Sequence, residues 1–403
     1  MELGPILRSM LTNRVRVILL VLEIAVTMTI VLNCLNMIVE QRERVMTPTG
    51  LDEKNILAIQ GSAWGQELED NDLVAQVIDR DLATLRAMPG VIEASAIDPF
   101  PLQGGGSSFQ LKPLGAPPSA LVRSPVYRAD ERFIDTLGLE LVAGRAFDAS
   151  DIPQERGPQI MNVIVTQDLA DALFPDGDAV GKPVDTGSEE YPDVIVGILR
   201  HMHTPYGGGP MESRITFYPG NPKLFGAMQY MVRTEPEAFD SVFSQVEEAL
   251  LTVNPERLLR VRSLLEIKGG GYLQNRFIAA ILSVVMALLL LVTVMGIFGM
   301  ASFSVTQRTK QIGTRRALGG TKADIVRYFL VEISVIAVIG MALGLIGAYA
   351  LNIALVTSVE GRPLPAGLAV AGVVVLWLVA LAATAFPARR AAAVPPAVAT
   401  RTV

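Results

Sequence analysis

Four long apolar runs, residues 17–39, 277–303, 329–357 and 367–386, decide more about this chain than anything else in it. The shortest has 20 residues, which in a helix reaches about 30 Å, the thickness of a bilayer's hydrocarbon core. A membrane α-helical protein with four spans is expected. The second and third runs bracket residues 304–328, where Arg308, Lys310, Arg315, Arg316, Lys322 and Arg327 face a single acid, Asp324. Short loops rich in Lys and Arg stay in the cytoplasm. That side is therefore assigned to residues 304–328, to residues 1–16 with Arg8, Arg14 and Arg16, and to a tail at 387–403. A short outer loop is left at 358–366. A cleaved signal peptide also begins with positive charge. The first run, however, exceeds a signal's apolar region of roughly 7 to 15 residues and has no small-x-small cleavage site, so an uncleaved anchor is expected.

Residues 40–275 contain no further run of spanning length and are expected to form one extracytoplasmic domain. They carry 20 Lys and Arg against 35 Asp and Glu, a net charge of −15, while the rest of the chain is +9. Half of the chain is apolar and the mean hydropathy is +0.40, too high for an ordinary cytosolic enzyme. The basic clusters are short and flank the membrane, so they indicate no nucleic-acid binding. Cys34, the one cysteine, lies in an apolar run and has no partner for an intrachain disulfide. Only two histidines, His201 and His203, are present. They are read as exposed loop residues, with one metal held between the two rings as the alternative.

Within 40–275, residues 55–60 read as a strand, 71–88 as a helix with Leu73, Val74, Val77, Ile78, Leu82 and Leu85 on one face, and 91–97 as a strand. A similar unit recurs with strand 229–233, helix 236–251 and strand 258–263. Two βαβ-like halves around other material imply a split α+β domain with a β-rich insertion at about 130–215. In it Leu139, Leu141, Val163 and Val165 alternate inward. Pro- and Gly-rich stretches at 98–106, 113–119 and 205–210 read as exposed loops. Asp70, Asp72, Asp79 and Asp81 read as a solvated helix face. Gly269 to Gly271 are expected to break the chain before a helix from Tyr272 whose excess length projects as a stalk or is absorbed by tilt.

Gly340, Gly344 and Gly347 share one side of the third span, for close packing within the chain or for a dimer contact. Glu23 and Glu332 are the acids inside spans. Both lie near the cytoplasmic end, where snorkelling or pairing with the basic segment is expected in preference to a proton relay.

The basic segment also has a shape. Gly319-Gly320 suits a left-handed helix end, and Thr321 with Asp324 matches a capping box. A short basic helix between two spans follows. Orientation charges alone are one reading of it. Residue order adds another: Arg308-Thr-Lys-Gln-Ile-Gly-Thr-Arg-Arg-Ala-Leu-Gly319 resembles the R-T-x-E-I-G-x-R-x-A-L-G segment of MacB/FtsX-type ABC transporter permeases, with Gln311 in place of Glu. Residues 127–147, ending L-G-L-E-L-V-A-G-R-A-F, 163–184 with L-F-P-D-G-D-A-V-G-K-P, and V-I-V-G-I-L at 194–199 resemble that family's outer core domain. The tail from Phe386 through Arg401 resembles its P-A-x-R-A-A-x-x-x-P-x-x-x-x-R ending.

This resemblance covers nearly the whole chain. It implies a non-catalytic permease subunit of a bacterial inner membrane, without a fused ATPase domain, served by a separate ABC ATPase that holds ATP and magnesium. The chain itself is expected to bind no cofactor or metal. It further implies a second permease, identical or paralogous, with an outer adaptor or outer-membrane channel as a further partner beside membrane lipid. The ATPase-coupling residues implied are Arg308, Lys310, Gln311, Ile312, Gly313, Arg315, Arg316, Ala317, Leu318 and Gly319. ATP-driven closure would push on residues 305–320, and the first and second spans would carry the motion to the outer domains, for export or envelope transport. The alternatives are an FtsX-like regulator of a cell-wall enzyme and, in another class, a membrane-anchored sensor or receptor. An enzyme is disfavoured. No G-x-S-x-G elbow occurs, and Gly177-Asp-Ala-Val-Gly-Lys182-Pro183 misses a P-loop in glycine spacing and lacks the hydroxyl after Lys.

Overall fold

The computed structural model describes residues 14–63, 71–155, 157–206, 209–220, 228–359 and 362–393. The N-terminal flank before Arg14, Asp70, the Gly207-Gly208 pair and the tail beyond Ala393 lie outside the described residues. Contacts divide the chain into two units, Met1–Glu43 with Asn275–Val403, and Arg44–Gln274.

Helix α1 (Arg14–Met46) contains neither Gly nor Pro and ends just before Pro48 and Gly50. The α+β unit follows with β1 (Ile56–Ala63), α2 (Asn71–Ala87), β2 (Val91–Asp98), β3 (Ser107–Pro113), β4 (Val122–Ala129), α3 (Phe133–Leu137), β5 (Leu141–Gly144), β6 (Asn162–Thr166) and α4 (Gln167–Leu173). It continues with β7 (Pro183–Asp185), β8 (Asp193–Leu199), β9 (Thr216–Pro219), β10 (Gln229–Thr234), α5 (Phe239–Val253), β11 (Arg257–Ser263) and α6 (Leu264–Gly271). The membrane unit resumes with α7 (Leu273–Gln307), α8 (Thr309–Ala317), α9 (Lys322–Val359) and α10 (Ala366–Ala392).

Strands run in the order β11-β1-β10-β2-β4-β3-β7-β8-β6-β9, with β5 on β8. Both β1 and β2 are antiparallel to β10, so they are parallel to each other through α2 with β10 between them. In the same way β10 and β11 are parallel through α5 with β1 between them. These are the two expected βαβ halves, interleaved as a split βαβ sheet. Period-two alternation gives the sheet two apolar faces: Leu57 and Ile59 pack with Ile78, Leu82, Leu85, Val242 and Val246, whereas Ile56 and Ala58 join Phe133, Phe217 and Met231.

The insertion differs from expectation. It starts with β3 and ends with β9, so it occupies 107–219 where 130–215 was expected. β4 pairs with β3 and, in parallel, with β9 through Val126 opposite Thr216, which makes the β3–β4 hairpin part of the inserted sheet. Pro125 and the neighbouring Pro- and Gly-rich stretches conceal those strands in the sequence. The 98–106 stretch is not simply an exposed loop, because Phe100 and Leu102 are buried beside Phe133 and Phe217. Strand β6 alternates as expected, with Val163 and Val165 packed on α4, but its other face is covered too, since Ile164 enters the second core, so all three are fully buried.

Three further readings also change. Asp81 is not on a solvated face. It is fully buried, its carboxylate bridged by Arg257 (Nη2 to Oδ1, 2.8 Å) and receiving the Tyr230 hydroxyl at 2.8 Å. Burial first, and then the Asp81 charge, hold the Tyr230 phenol well above its ordinary range, so it remains a donor. His203 is buried with Nε2 3.3 Å from Glu212, while His201 contacts the Pro48 carbonyl at 3.0 Å. Gly269 to Gly271 lie inside α6, capped by Ser263, and the chain turns at Tyr272.

In the membrane unit α1 touches all three other long helices. It meets α7 through Thr27 and Thr293, whose hydroxyls are 2.7 Å apart, and α10 where Leu32 fills the space above Gly372. Its contact with α9 resolves the glycine stripe as packing within the chain. A Cβ at Gly340 would lie 2.9 Å from Ile24, one at Gly344 2.6 Å from Met28 and 2.7 Å from the Ala25 carbonyl, and one at Gly347 2.6 Å from Thr29. The approach lets Thr29 donate to the Gly344 carbonyl at 3.1 Å and Asn33 to Ala348 at 3.1 Å. The polar groups inside the spans thus serve helix contacts. Outward, Val284, Leu288 and Ile346 are exposed, as lipid contact requires. Gly344→Ala should lower the thermal unfolding temperature by several degrees, since overpacking of this kind costs about 1 to 3 kcal/mol. Gly299→Ala, with nothing within 4 Å of the added carbon, should be neutral or slightly stabilising. Thermal unfolding in detergent compares the two, and equal midpoints would contradict the packing.

Candidate functional site

Helix α8 has nine residues, too few to be stable on propensity alone. Its neighbours hold it. Ile312 is buried among Ile325 and Phe329 of α9 and Ala388, Ala391 and Ala392 of α10. Small alanines allow the close approach, and Gly313 is buried as well. Arg316 donates from Nη1 to the Ala392 carbonyl at 2.9 Å, satisfying a free group at the end of α10. The end of α8 is set by Gly319 at φ +95°, a region that only glycine adopts without strain. The expected capping box is present: Thr321 N donates to Asp324 Oδ2 at 3.0 Å, and Asp324 N donates to Thr321 Oγ1 at 3.2 Å.

Arg308 forms the joint between α7 and α8. Its guanidinium grips Glu332 of α9 with two bonds, Nη1 to Oε2 at 2.9 Å and Nη2 to Oε1 at 3.0 Å. Arg16 of α1 reaches the same carboxylate at 3.2 Å and donates to Ser304 Oγ at 2.5 Å. The Glu332 side chain is 6% exposed and the two arginines 10 and 11%. One buried carboxylate therefore ties together α1, the α7–α8 joint and α9. Tyr328 completes the cluster. Its hydroxyl receives a 3.3 Å bond from Arg308, and Arg315 lies over its ring at 5.1 Å.

The ten residues singled out on and around α8 divide between two faces. Arg308, Ile312, Gly313 and Arg316 point into the bundle and anchor the helix. Lys310, Gln311, Arg315, Ala317, Leu318 and Gly319 are exposed, with Leu318 at 83%. Gln311 lines a 30 Å³ cavity with Arg308, Arg315 and Tyr328. The two intramembrane acids part company. Glu332 is paired as described, while Glu23 rests on Gly296, where a Cβ would fall 2.1 Å from its carboxylate. Arg16, Ser304 and Tyr328 were not recognisable from the motif. The signal for Arg16 was an arginine at the edge of one run matched in depth by an acid in another. Among the described residues no cluster of His, Cys, Asp and Glu has metal-site geometry.

A four-helix membrane unit, an α+β outer domain with a sheet insertion, and a basic helix braced beneath the bundle define an ABC transporter permease. Residues 21–253 match the MacB-like periplasmic core domain and residues 283–396 the FtsX-like permease C-terminal domain, the first alone covering more than half of the chain. The chain belongs to the MacB/FtsX-type permease family. It is 24% identical over 368 residues to the macrolide export ATP-binding/permease protein MacB of Chromobacterium violaceum, covering 87% of this chain and 54% of that protein. It is 26% identical over 242 residues to the uncharacterized ABC transporter permease YknZ of Bacillus subtilis, covering 58% of each. The chain thus spans about half the length of these relatives. Among solved structures, the periplasmic region of MacB from Actinobacillus actinomycetemcomitans is 17% identical, with 54% of this chain and 92% of that chain covered and a TM-score of 0.34.

Proposed function

We propose that this chain converts ATP hydrolysis by a separate ABC ATPase into movement of extracytoplasmic domains, in export or envelope transport across a bacterial inner membrane. The observation that carries the reading is the division of α8 into a braced face and a bare one. An exposed leucine, Leu318, beside Arg315 and Lys310 suits docking against a protein cleft with an acidic rim. Force applied there has a rigid route, because α8 cannot shift without disturbing the Arg308–Glu332–Arg16 cluster, and through it α1 and α9. α1 and α7 lead by chain connectivity into the outer domain. The positive charge at this end supports its assignment to the cytoplasm, with both termini. ATP and magnesium belong to the partner ATPase. The assembly contains a second permease, the same chain or a paralogue, and an outer adaptor or channel works with the outer domain.

The test is co-purification of the ATPase with the tagged chain from gently solubilised membranes, followed by an ATPase assay. Arg315→Glu combined with Leu318→Glu should reduce the recovered ATPase at least tenfold with the unfolding temperature unchanged. Arg316→Glu should weaken coupling by loosening α8, with a measurable loss of stability. Undiminished ATPase on the double variant would overturn docking on the bare face of α8, and recovery of the chain alone or of only an outer binding protein with the wild type would favour the receptor reading.

A further inference from the structure

At the basic end of the membrane unit α9 and α10 line a groove of 710 Å³, whose lining includes no residue of α8. Its mouth carries Lys322, Arg327 and Arg389, and its walls are apolar, with Leu330 and Leu381 leading to Trp377. The indole N–H of Trp377 donates to Ser334 Oγ at 3.3 Å, which seats the ring across the inner end. Trp377 precedes Arg389 by 12 residues on one helix, about 18 Å, close to half of the roughly 30 Å hydrocarbon core. The groove therefore has cations at headgroup level and an apolar channel one leaflet deep. Its volume falls within the range of about 300 to 1,000 Å³ usual for small-molecule sites. Asp324 is the acid nearest the mouth by sequence; its carboxylate accepts from Thr321 in the capping box and attracts Arg327, so it offsets one of the three cations and the mouth keeps a net positive charge. Among the described residues, Lys322 and Arg389 make no ion pair.

We infer that this groove binds an anionic phospholipid of the surrounding leaflet, the phosphate held by Lys322, Arg327 and Arg389 and one acyl chain lying along Leu330, Leu381 and Trp377. Charge complementarity selects the occupant. A zwitterionic lipid brings a cation of its own to a mouth of net positive charge, a further basic stretch of this chain would be repelled, and a soluble anion leaves the apolar channel unfilled. The inference rests on the four helices crossing a bilayer and not on the coupling to ATP.

The chain has two tryptophans, so a Trp64→Phe background leaves Trp377 as the reporting indole. The full-length protein is placed in nanodiscs of phosphatidylcholine containing a fixed small fraction of either phosphatidylglycerol or phosphatidylcholine brominated on its acyl chains. Brominated phosphatidylglycerol should quench Trp377 at least threefold more efficiently than brominated phosphatidylcholine. Unlabelled phosphatidylglycerol should reverse the quenching, and inorganic phosphate should not. Lys322→Gln with Arg389→Gln should abolish the preference. Should that variant fail to fold, the comparison of the two lipids on the parent protein still decides. Equal quenching by both would reduce the groove to ordinary lipid contact and overturn the proposal. Absence of quenching would mean that a protein segment fills the groove, and reversal by inorganic phosphate that only a soluble anion is held; either also overturns it. Because ATPase recovery is measured separately, failure here leaves the proposed coupling untouched.

Discussion

Replacing Glu332 with Leu should be among the most damaging single changes in the membrane unit. It leaves the guanidinium groups of Arg16 and Arg308, now facing one another, without the carboxylate they share. Removing one partner from a buried ion pair costs about 3 to 5 kcal/mol, because the remaining charge stays buried and uncompensated. The expected result is a fall of several degrees in the unfolding temperature in detergent, together with loss of stimulated ATPase in the complex. Stability and coupling can be separated. Arg16→Met, Arg308→Met and Glu332→Leu combined replace the whole cluster with apolar side chains, which is often neutral or stabilising. That triple variant should regain most of the unfolding temperature without regaining ATPase stimulation, since the two-bond grip of Arg308 at the α7–α8 joint is gone. Recovery of both would show that the cluster only stabilises the bundle.

The second large effect is expected in the outer domain at Asp81. Asp81→Leu leaves Arg257 fully buried with the Leu250 carbonyl, 2.7 Å from Nη2, as its remaining acceptor, and leaves the Tyr230 hydroxyl without its carboxylate. The same penalty of about 3 to 5 kcal/mol applies. It should appear as exchange of the protected amides of α5 and β10 that is roughly a hundred- to several-thousand-fold faster in the full-length protein, at about 1.4 kcal/mol per decade. Asp81→Leu with Arg257→Met should recover most of that protection. Unchanged exchange in the single variant would contradict the buried pairing.

The long-period features were legible in the sequence. Apolar length and flanking arginines locate the spans, and α2, β2, β10, α5 and β11 follow from alternation and helical periodicity. The chain-end chemistry around Gly319 and the Thr321–Asp324 box was legible because capping depends on local geometry. What escaped depends on contacts between distant residues. Asp81 sits in an acidic helical stretch, and nothing nearby shows that Arg257, 176 positions away, comes to meet it. The β3–β4 hairpin was hidden because Pro125 and adjoining prolines imitate a loop, while β4 is held by β2 and β9 and β3 by β7. At the site, the motif identified α8 as a segment. Its division into anchors and exposed residues needed α9 and α10, which supply the wall that buries Ile312. The glycines of α9 showed that something packs closely there, and only the fold shows that it is α1.

Docking of an ABC ATPase on the bare face of α8 is open to site-specific photocrosslinking in cells. A benzophenone side chain is placed at Leu318, which is exposed, and in a second strain at Ile312, which is buried against α9 and α10. The expected result is a crosslink from position 318 to a P-loop ATPase, identified by mass spectrometry, and none to that protein from position 312. Crosslinks from 318 that reach only lipid, or a protein without a P-loop, would contradict it.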